Sequence, residues 1–392
     1  MFRHIALATL LATTATAATA DSFTITGDKG GTIRAETLET FDGPWAMTWL
    51  PDGHGLVTEK SGTLWLVGAD GRKIGTVAGL PSIDAQGQGG LGDVILHPDY
   101  ASTGMVYLSY VERDAGDGSL SGAVVDRARL VLDGNGGRLE ERTRIWDQVP
   151  KVRGNGHYGH RLAFAPDGHL FITSGERQKF TPAQNMAMNL GKVIRLTENG
   201  DVPADNPFVD QGGVAAQVWS LGHRNPLGID FDARGQLWVH EMGPKHGDEL
   251  NRIVRGENYG YPAVSNGDHY SGEPIPDHDT NPAYENPAAY WVPAISPAGF
   301  VIYDGTMFGD WAGNGLIGGL GSQAMIRVRF MEQETDNTGA PPKKDGPMET
   351  VAEEAERYSW GKRVREIEQG SDGAIYVLED KAGGRLLKLT PR

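Results

Sequence analysis

The chain of 392 residues contains no cysteine. It therefore has no disulfide bonds and no thiolate for catalysis or metal binding, whichever compartment it occupies. The sequence also lacks a Gly-x-Ser-x-Gly elbow, a zinc-binding motif, a nucleotide-type glycine fingerprint and a phosphate-binding loop. The usual motif evidence for serine hydrolases, zinc enzymes and nucleotide-dependent enzymes is thus absent.

Apolar runs long enough to cross a membrane are lacking as well. The run from Ile5 to Leu11 is short, follows the basic Arg3 and precedes Ala-Thr-Ala before Asp21. This pattern is typical of a secretory signal peptide with a small-residue cleavage site. We expect residues 1–20 to be removed and the mature chain, starting near Asp21, to lie outside the cytoplasm.

Positive charge is also scarce. Removing Arg3 from the 36 Lys and Arg residues leaves 35 against 51 Asp and Glu residues, a formal charge of −16. Because nucleic-acid binding requires a basic footprint, this balance argues against a nucleic-acid partner. We interpret most of the acidic residues as a solvated surface.

The sequence does contain one motif that is repeated six times: an apolar strand, a turn rich in Asp, Asn and Gly, and a second apolar strand. The copies are MTWLPDGHGLVTE from Met47, VILHPDYASTGMVYLSY from Val94, LAFAPDGHLFITSGE from Leu162, IDFDARGQLWVHE from Ile229, GDWAGNGLIGGL from Gly309 and IEQGSDGAIYVLED from Ile367. The acid or amide of each turn is Asp52, Asp99, Asp167, Asp232, Asn314 or Asp372. Such long-period repetition of strands is the signature of a β-propeller.

The length fits one closed ring, since six repeats of about 60 residues account for most of the chain. We therefore predict an all-β fold, a single six-bladed β-propeller of four-stranded antiparallel sheets over residues 21–392. A propeller gathers its loops around one central channel, and we expect the active site there.

Two loops between the copies carry side chains suited to catalysis. The loop from Gly154 to Leu162 holds His157 and His160, and a histidine near its ordinary pKa is a natural general base. We favour His157 over His160, although a lone histidine is more often structural. The loop from Gln86 to Asp93 presents one amide side chain, that of Gln88, among several glycines.

Further loops supply donors for an anion. Arg224 and Asn225 lie in SLGHRNPLG, where their donors suit an anionic or carbonyl oxygen. Arg363 and Arg365 alternate on one strand, so that both guanidinium groups point to the same side and could hold carboxylates. The segment EMGPKHGDELN offers carbonyl and carboxylate oxygens to a hard cation such as calcium, but it does not match EF-hand spacing.

Together these clusters, in this order, resemble the soluble PQQ-dependent sugar dehydrogenases, and in particular the aldose sugar dehydrogenases of bacterial periplasms. The resemblance covers nearly all of the mature chain. It rests on GQGGLGDVILHPDY, HYGHRLAFAPDG, LGHRNPLGIDFD, EMGPKHGDELNRI, NYGYP and RVREIEQGSDGAIYVLED. It implies a periplasmic enzyme that oxidises aldoses to lactones and passes electrons to an acceptor that the sequence does not name.

The resemblance also implies roles for the catalytic loops. His157 matches the base that takes the proton of the sugar's C1 hydroxyl as hydride moves to PQQ. Arg224 and Asn225 match the pair that lines the cofactor, with the arginine near the quinone oxygen that gains charge. Gln88 matches a glutamine beside the same site.

Four more positions match cofactor and metal contacts of the family. Arg363 and Arg365 match arginines that face the tricarboxylate cofactor. Gly243 and Pro244 match residues whose backbone carbonyls bind the calcium ion that also coordinates PQQ. Carbonyl ligands leave little side-chain signature, which explains why spacing alone does not reveal this metal.

Two positions depart from the family pattern. A lysine that reaches the cofactor usually lies where this chain has Gly321, so one positive contact is expected to be lost. Gly156 stands where some relatives have an acid before the histidine, so the base must be oriented by another group.

On the substrate side, Tyr290 and Trp291 could stack against a pyranose, although packing of their loop is an equal alternative. A calcium-dependent propeller lactonase and a non-catalytic binding propeller are the competing functions. A lactonase needs side-chain carboxylates that converge on the metal, whereas this sequence supplies arginines for a polyanion.

Overall fold

The computed structural model describes residues 21–331 and 352–392, so the predicted signal peptide lies outside the described residues. Strands make up 48% of the chain and helices 6%. Within the described residues, the helical pieces are one α-turn, α1 (Tyr100–Thr103), and five short 3-10 turns, Thr181–Gln184, Val209–Gln211, Ala215–Gln217, His278–Thr280 and Gly309–Trp311. None of the helices within the described ranges is long and apolar enough to span a bilayer.

The strands form six blades. Two amino-terminal strands come first, β1 (Ser22–Thr26) and β2 (Thr32–Asp42). Blade one contains β3 (Pro44–Trp49), β4 (Gly55–Glu59), β5 (Thr63–Val67) and β6 (Lys73–Ala78). Blade two contains β7 (Leu91–Leu96), β8 (Met105–Arg113), β9 (Ser121–Leu132) and β10 (Gly137–Asp147). Blade three contains β11 (Gly159–Phe164), β12 (Leu170–Ser174), β13 (Lys192–Leu196) and β14 (Val218–Leu221).

The remaining blades follow the same order. Blade four contains β15 (Pro226–Phe231), β16 (Leu237–Glu241), β17 (Asp248–Ile253) and β18 (Ala289–Trp291). Blade five contains β19 (Pro297–Ile302), β20 (Gly315–Gly319), β21 (Ala324–Phe330) and β22 (Ala352–Ser359). Blade six contains β23 (Val364–Gln369), β24 (Ile375–Glu379) and β25 (Ala382–Pro391), completed by β2.

The ring is closed by pairing the two ends of the chain. Strand β2 runs antiparallel to β25, in a register from Ile33 opposite Pro391 to Asp42 opposite Ala382, and β1 adds a fifth strand outside it. The first strand of each blade contacts the first strand of the next, and β23 contacts β3. Blades one and two also share a short parallel pairing of β6 with β10, which merges them into one eight-stranded sheet. The predicted six-bladed fold is confirmed.

The turn residues explain the repeat. In four copies the turn aspartate accepts the N–H two residues later at 2.9–3.1 Å, which closes the hairpin: Asp52, Asp167, Asp232 and Asp372. Copy two differs, because Asp99 precedes α1. In copy five the first strand is β19, upstream of the predicted start at Gly309, and residues 309–311 form a 3-10 turn. The connection between β19 and β20 is longer than a tight turn, so the repeat pattern did not include β19.

The hydrophobic core is divided among the interfaces between blades. One cluster packs Trp238 and Leu250 of blade four against Phe300 and Ile317 of blade five. Apolar burial is thus distributed around the ring, and it stabilises the fold without disulfide bonds.

Candidate active site

One end of the central channel collects the predicted site loops. Strands within a blade are antiparallel, so the loop before each first strand and the loop after each second strand lie at the same end. Gln88, His157, Asn225 and Arg363 all lie just before first strands, those of blades two, three, four and six. The fold thereby brings together residues that are up to 275 positions apart in the sequence.

A cavity of about 290 Å³ lies at this end, and Gln88, Asn225, Arg363 and Arg365 line it. Ten further lining residues were not predicted as cofactor contacts from the sequence, among them Trp45, Lys60, His160 and Met242. His157 and Arg224 adjoin it, because each is hydrogen-bonded to a lining residue. Its charged lining is cationic, as binding of an organic polyanion requires.

The other end of the channel is electrostatically opposite. It holds a larger cavity of about 1000 Å³, whose charged lining is eight carboxylates and one arginine, Arg161. The carboxylates are Asp93, Asp99, Asp167, Asp230, Asp232, Asp304, Glu366 and Glu368. This acidic lining disfavours an anionic ligand, so the charge pattern favours the smaller cavity for binding an anion.

His157 is held by a buried carboxylate. Its Nδ1 lies 2.5 Å from Oε1 of Glu176, and its backbone N–H donates to Oε1 of Gln88 at 2.7 Å. Burial lowers the pKa of His157; Glu176 opposes this shift, and the nearby Arg224 charge adds to it. Burial alone would raise the pKa of Glu176, but the hydrogen bond from His157 helps to hold that pKa below its ordinary value. The histidine is therefore neutral with its Nδ1 proton directed at an ionised carboxylate, which leaves Nε2 to accept a proton.

The loop after Glu176 adopts an unusual backbone that serves this pair. Arg177, Gln178 and Phe180 have φ of 63°, 59° and 64°, in the left-handed region that side chains disfavour. The turn points the N–H groups of Gln178 and Phe180 at the Glu176 carboxylate, at 3.0 and 2.6 Å. The fully buried Arg177 donates through Nε to the carbonyl of Gly156 at 2.9 Å, immediately before His157.

His160 has a structural role. Its ring stacks on Trp45 with centroids 5.0 Å apart, and its Nδ1 pairs with Oγ of Ser109 at 2.8 Å. Burial lowers its pKa to about 3, so the ring stays neutral and is already engaged.

Arg224 connects Glu176 with the predicted calcium loop, since its backbone carbonyl accepts the N–H of Glu176 at 2.9 Å. Its backbone N–H donates to Glu241, whose Oε1 lies 2.8 Å from Nδ1 of His223. Its Nη1 donates to the carbonyls of Met242, at 2.9 Å, and of Gly243. Among the described residues, its buried Nε has no hydrogen-bond partner. The unused donor can therefore serve a ligand.

Asn225 also has a buried polar atom that lacks a hydrogen-bond partner among the described residues. Its Oδ1 is buried and, among the residues that the structure describes, accepts no hydrogen bond. A buried polar atom without a partner is costly, and adjacent unsatisfied groups on Arg224 and Asn225 indicate that a ligand completes them. The residues therefore fit a cofactor that carries both acceptors and donors.

Arg363 and Arg365 converge on one carboxylate. Nε of Arg363 lies 2.7 Å from Oδ2 of Asp380, while Nε and Nη2 of Arg365 lie 3.0 and 2.9 Å from Oδ1. Asp380 thus fixes both guanidinium groups at the cavity wall, as the alternation of residues 363–365 predicts for one side of a strand.

Gly243 and Pro244 are both buried in the loop after β16. The N–H of Gly243 donates to Oδ1 of Asp248 at 2.9 Å, and an added Cβ there would lie 2.2 Å from the carbonyl oxygen of Gly247. A larger residue at 243 is thus excluded. Because the Gly243 carbonyl accepts from Arg224, the positive guanidinium opposes binding of a cation to the same oxygen.

Tyr290 and Trp291 lie away from the cavity lining, on β18, the outermost strand of blade four. Trp291 is buried in the cluster between blades four and five, and its Nε1 donates to Oε2 of Glu354 at 2.7 Å. The structure thus uses Trp291 for packing and leaves Tyr290 exposed at the periphery.

Both positions that depart from the family pattern, Gly321 and Gly156, lie close to the candidate site. Gly321 follows Leu320, a cavity-lining residue, at the end of the second strand of blade five. Gly156 leaves room for the Gln178 side chain, since an added Cβ would lie 2.6 Å from it. Glu176, on the next strand end, supplies the orienting acid that position 156 lacks.

A signal for the missed residues was present in the repeats. Four of the six copies end in an acid, and these acids lie at the site end of the second strands. Glu59, Glu176, Glu241 and Asp380 occupy these places, and the last three hold His157, Arg224 and the two arginines. The sequence does not identify these acids as site residues, because their role depends on the second strands ending beside the site.

In the part of the chain that the structure describes, side-chain metal ligands are not clustered. Within residues 21–331 and 352–392, no group of three or more His, Asp or Glu side chains is arranged to hold a metal ion. The lactonase alternative depends on such a group.

Comparison with known proteins identifies close similarity over the whole propeller. The family model described as glucose/sorbosone dehydrogenase matches residues 41–388. The chain is 36% identical over 368 residues to the aldose sugar dehydrogenase YliI of Escherichia coli, covering 92% of this chain and 94% of that one. It is 31% identical over 252 residues to quinoprotein glucose dehydrogenase B of Acinetobacter calcoaceticus, 58% of this chain and 52% of that one.

Solved structures show the same similarity. The apo form of the soluble aldose sugar dehydrogenase of Escherichia coli superposes with a TM-score of 0.82 at 34% identity, covering 92% of this chain and 100% of that chain. The PQQ-bound aldose sugar dehydrogenase of Streptomyces coelicolor superposes with a TM-score of 0.69 at 25% identity, covering 91% and 98%.

Proposed function

This chain belongs to the glucose/sorbosone dehydrogenase family of oxidoreductases, and we propose that it is a quinoprotein that oxidises the C1 hydroxyl of aldose sugars to lactones with PQQ. The observation that supports this most strongly is one arrangement. A histidine held by a carboxylate adjoins a cationic cavity, and the neighbouring Arg224 and Asn225 have unsatisfied buried atoms. A proton acceptor and an anion site are thus side by side.

The proposed cofactor site uses the cavity lining. Arg363 and Arg365 face the carboxylates of PQQ, and Gln88, Arg224 and Asn225 supply amide and guanidinium donors. The backbone carbonyls of Gly243 and Pro244 would supply oxygen ligands to calcium, and the first of them also accepts from Arg224. When bound, PQQ supplies a quinone carbon that accepts hydride, and calcium supplies a Lewis acid that polarises it.

The chain's own residues perform the proton chemistry. Nε2 of His157 accepts the proton of the C1 hydroxyl, and Glu176 stabilises the imidazolium that results. The backbone N–H of His157 is fixed by Gln88, so that the ring keeps its orientation. Arg224 offers its free Nε to negative charge beside the base.

The test is aldose-dependent dye reduction by purified apoprotein, with and without PQQ and calcium, alongside PQQ binding measured by fluorescence. The dye replaces the external electron acceptor. Activity is expected only with PQQ and calcium, and His157→Ala should lower kcat by about 10²–10⁴-fold while PQQ still binds. The matched control is His97→Ala, since His97 pairs with Glu198 at the surface.

Each other result points elsewhere. Binding of PQQ without oxidation of any aldose would show that the substrate class is wrong. Absence of PQQ binding would overturn the quinoprotein function and favour a binding propeller. A periplasmic location is part of the proposal, supported by the signal-peptide pattern of residues 1–20. Recovery of the protein in the cytoplasmic fraction of its native cells would contradict it.

A further inference from the structure

Three basic side chains line the 290 Å³ cavity, and two of them share one counter-ion. Asp380 accepts hydrogen bonds from both Arg363 and Arg365. These guanidinium groups are thus fixed in place but partly neutralised. The third basic side chain, Lys60, differs from them in its surroundings.

Lys60 has no carboxylate partner. Its Nζ donates to the backbone carbonyl of Gly87, and no carboxylate oxygen among the described residues lies within salt-bridge distance of it. Burial and the neighbouring Arg365 lower the pKa of Lys60, and the opposing charge of Asp380, which is already hydrogen-bonded to both arginines, does not offset them. An ammonium group in a cavity wall beside two arginines therefore attracts an anion that the protein itself does not supply.

Lys60 occupies the same position within blade one as the missing family lysine would occupy within blade five. Lys60 follows β4, the second strand of blade one, while Gly321 lies just after β20, the second strand of blade five. Both loops reach the same end of the channel, and Leu320 and Lys60 line the same cavity. Blade one adjoins blade six, and Lys60 and Arg365 line the same cavity.

We propose that Lys60 is a third cationic contact of the cofactor site, donating to a carboxylate of PQQ and replacing the contact that Gly321 cannot make. The inference rests on the proposed function, because it assumes that PQQ occupies this cavity. It adds a residue that the sequence motifs did not indicate.

The test is a PQQ titration of the apoprotein with calcium present, followed by quenching of tryptophan fluorescence, to which the cavity-lining Trp45 contributes. Lys60→Met should raise the Kd for PQQ by about 10- to 100-fold, the effect of one charge-assisted hydrogen bond. Lys60→Arg, which keeps the charge, should stay within about threefold of the wild type. Lys29→Met, at an exposed lysine, is the matched control and should bind as the wild type does.

Salt dependence and stability complete the test. If Lys60 meets a carboxylate, the affinity of Lys60→Met should depend less steeply on salt than that of the wild type. An unchanged Kd in Lys60→Met overturns the inference and leaves the proposed function standing. Equal losses in the Met and Arg variants, with lowered thermal midpoints, also overturn it, because they show a packing role. A wild type that does not bind PQQ overturns both proposals.

Discussion

Oε1 of Glu176 lies 2.5 Å from Nδ1 of His157, and Oε2 of the same carboxylate accepts the N–H of Phe180 at 2.6 Å. One buried side chain thus fixes the proton on Nδ1 of the histidine and the path of the loop beside it. An ionised carboxylate can only accept hydrogen bonds, so the arrangement leaves Nε2 as the basic atom.

Replacing Glu176 should therefore damage the base and not the cofactor site. Glu176→Gln removes the charge that stabilises the imidazolium, and kcat is expected to fall by about 10²-fold or more. Because the carboxylate raises the pKa of His157, its loss should move the acidic limb of the kcat/KM profile to lower pH. The measurement is a pH profile of aldose oxidation.

The chain offers a control for this variant. Glu198→Gln alters a histidine–glutamate pair of similar length, 2.7 Å, on the surface with His97, and it should leave the profile unchanged. A Glu176→Gln enzyme with an unshifted acidic limb would contradict the assigned role.

Arg224 and calcium are expected to compete for Gly243. Arg224 donates to the carbonyl that calcium would use, so the positive guanidinium opposes calcium binding to the apoprotein. In Arg224→Met the carbonyl is free, and calcium affinity without PQQ should rise about tenfold or more. Calorimetric titration with calcium measures the difference. Equal affinities in the two proteins would show that the Gly243 carbonyl is not a ligand.

Asp230 should make the fold less stable as pH rises. Burial within the channel raises its pKa to about 7, and the neighbouring Asp304 and Asp232 act in the same direction. An aspartate in the unfolded chain titrates near pH 4, so between about pH 4 and 7 the folded state binds more protons. This contribution is present at low pH and is lost as pH rises through about 7.

Urea unfolding at several values from about pH 5 to about pH 8 tests this sign. The free energy of unfolding should fall less steeply with pH in Asp230→Asn than in the wild type. Asp133→Asn, at an exposed turn, should follow the wild-type curve. Parallel curves for all three proteins would mean that Asp230 is ionised throughout.

Trp291 should matter for stability and not for sugar binding. It is buried between blades four and five, so Trp291→Ala is expected to lower the free energy of unfolding by about 3–5 kcal/mol. Tyr290→Ala, at an exposed position on the same strand, should change it by less than about 0.5 kcal/mol. The KM for aldoses should be unchanged in both. A raised KM in Trp291→Ala without loss of stability would support the stacking role instead.

Much of the architecture follows from the sequence alone. Strand–turn–strand copies are local patterns, and Asp52, Asp167, Asp232 and Asp372 each close their own hairpin with a hydrogen bond two residues away. Local bonds of this kind are visible in the order of residues. The sixfold repeat therefore predicts the propeller, and the family motifs indicate His157, Arg224 and Arg365 at the site.

The partners of these residues were decided by the tertiary structure. Glu176 orients His157, Asp380 fixes Arg363 and Arg365, and Lys60 reaches the cavity from blade one, on the far side of the ring closure. The ring closes when β2 pairs with β25, which joins the two ends of the chain. Contacts across such distances have no fixed spacing in the sequence, because they depend on the order of blades around the channel and on which strand ends face it.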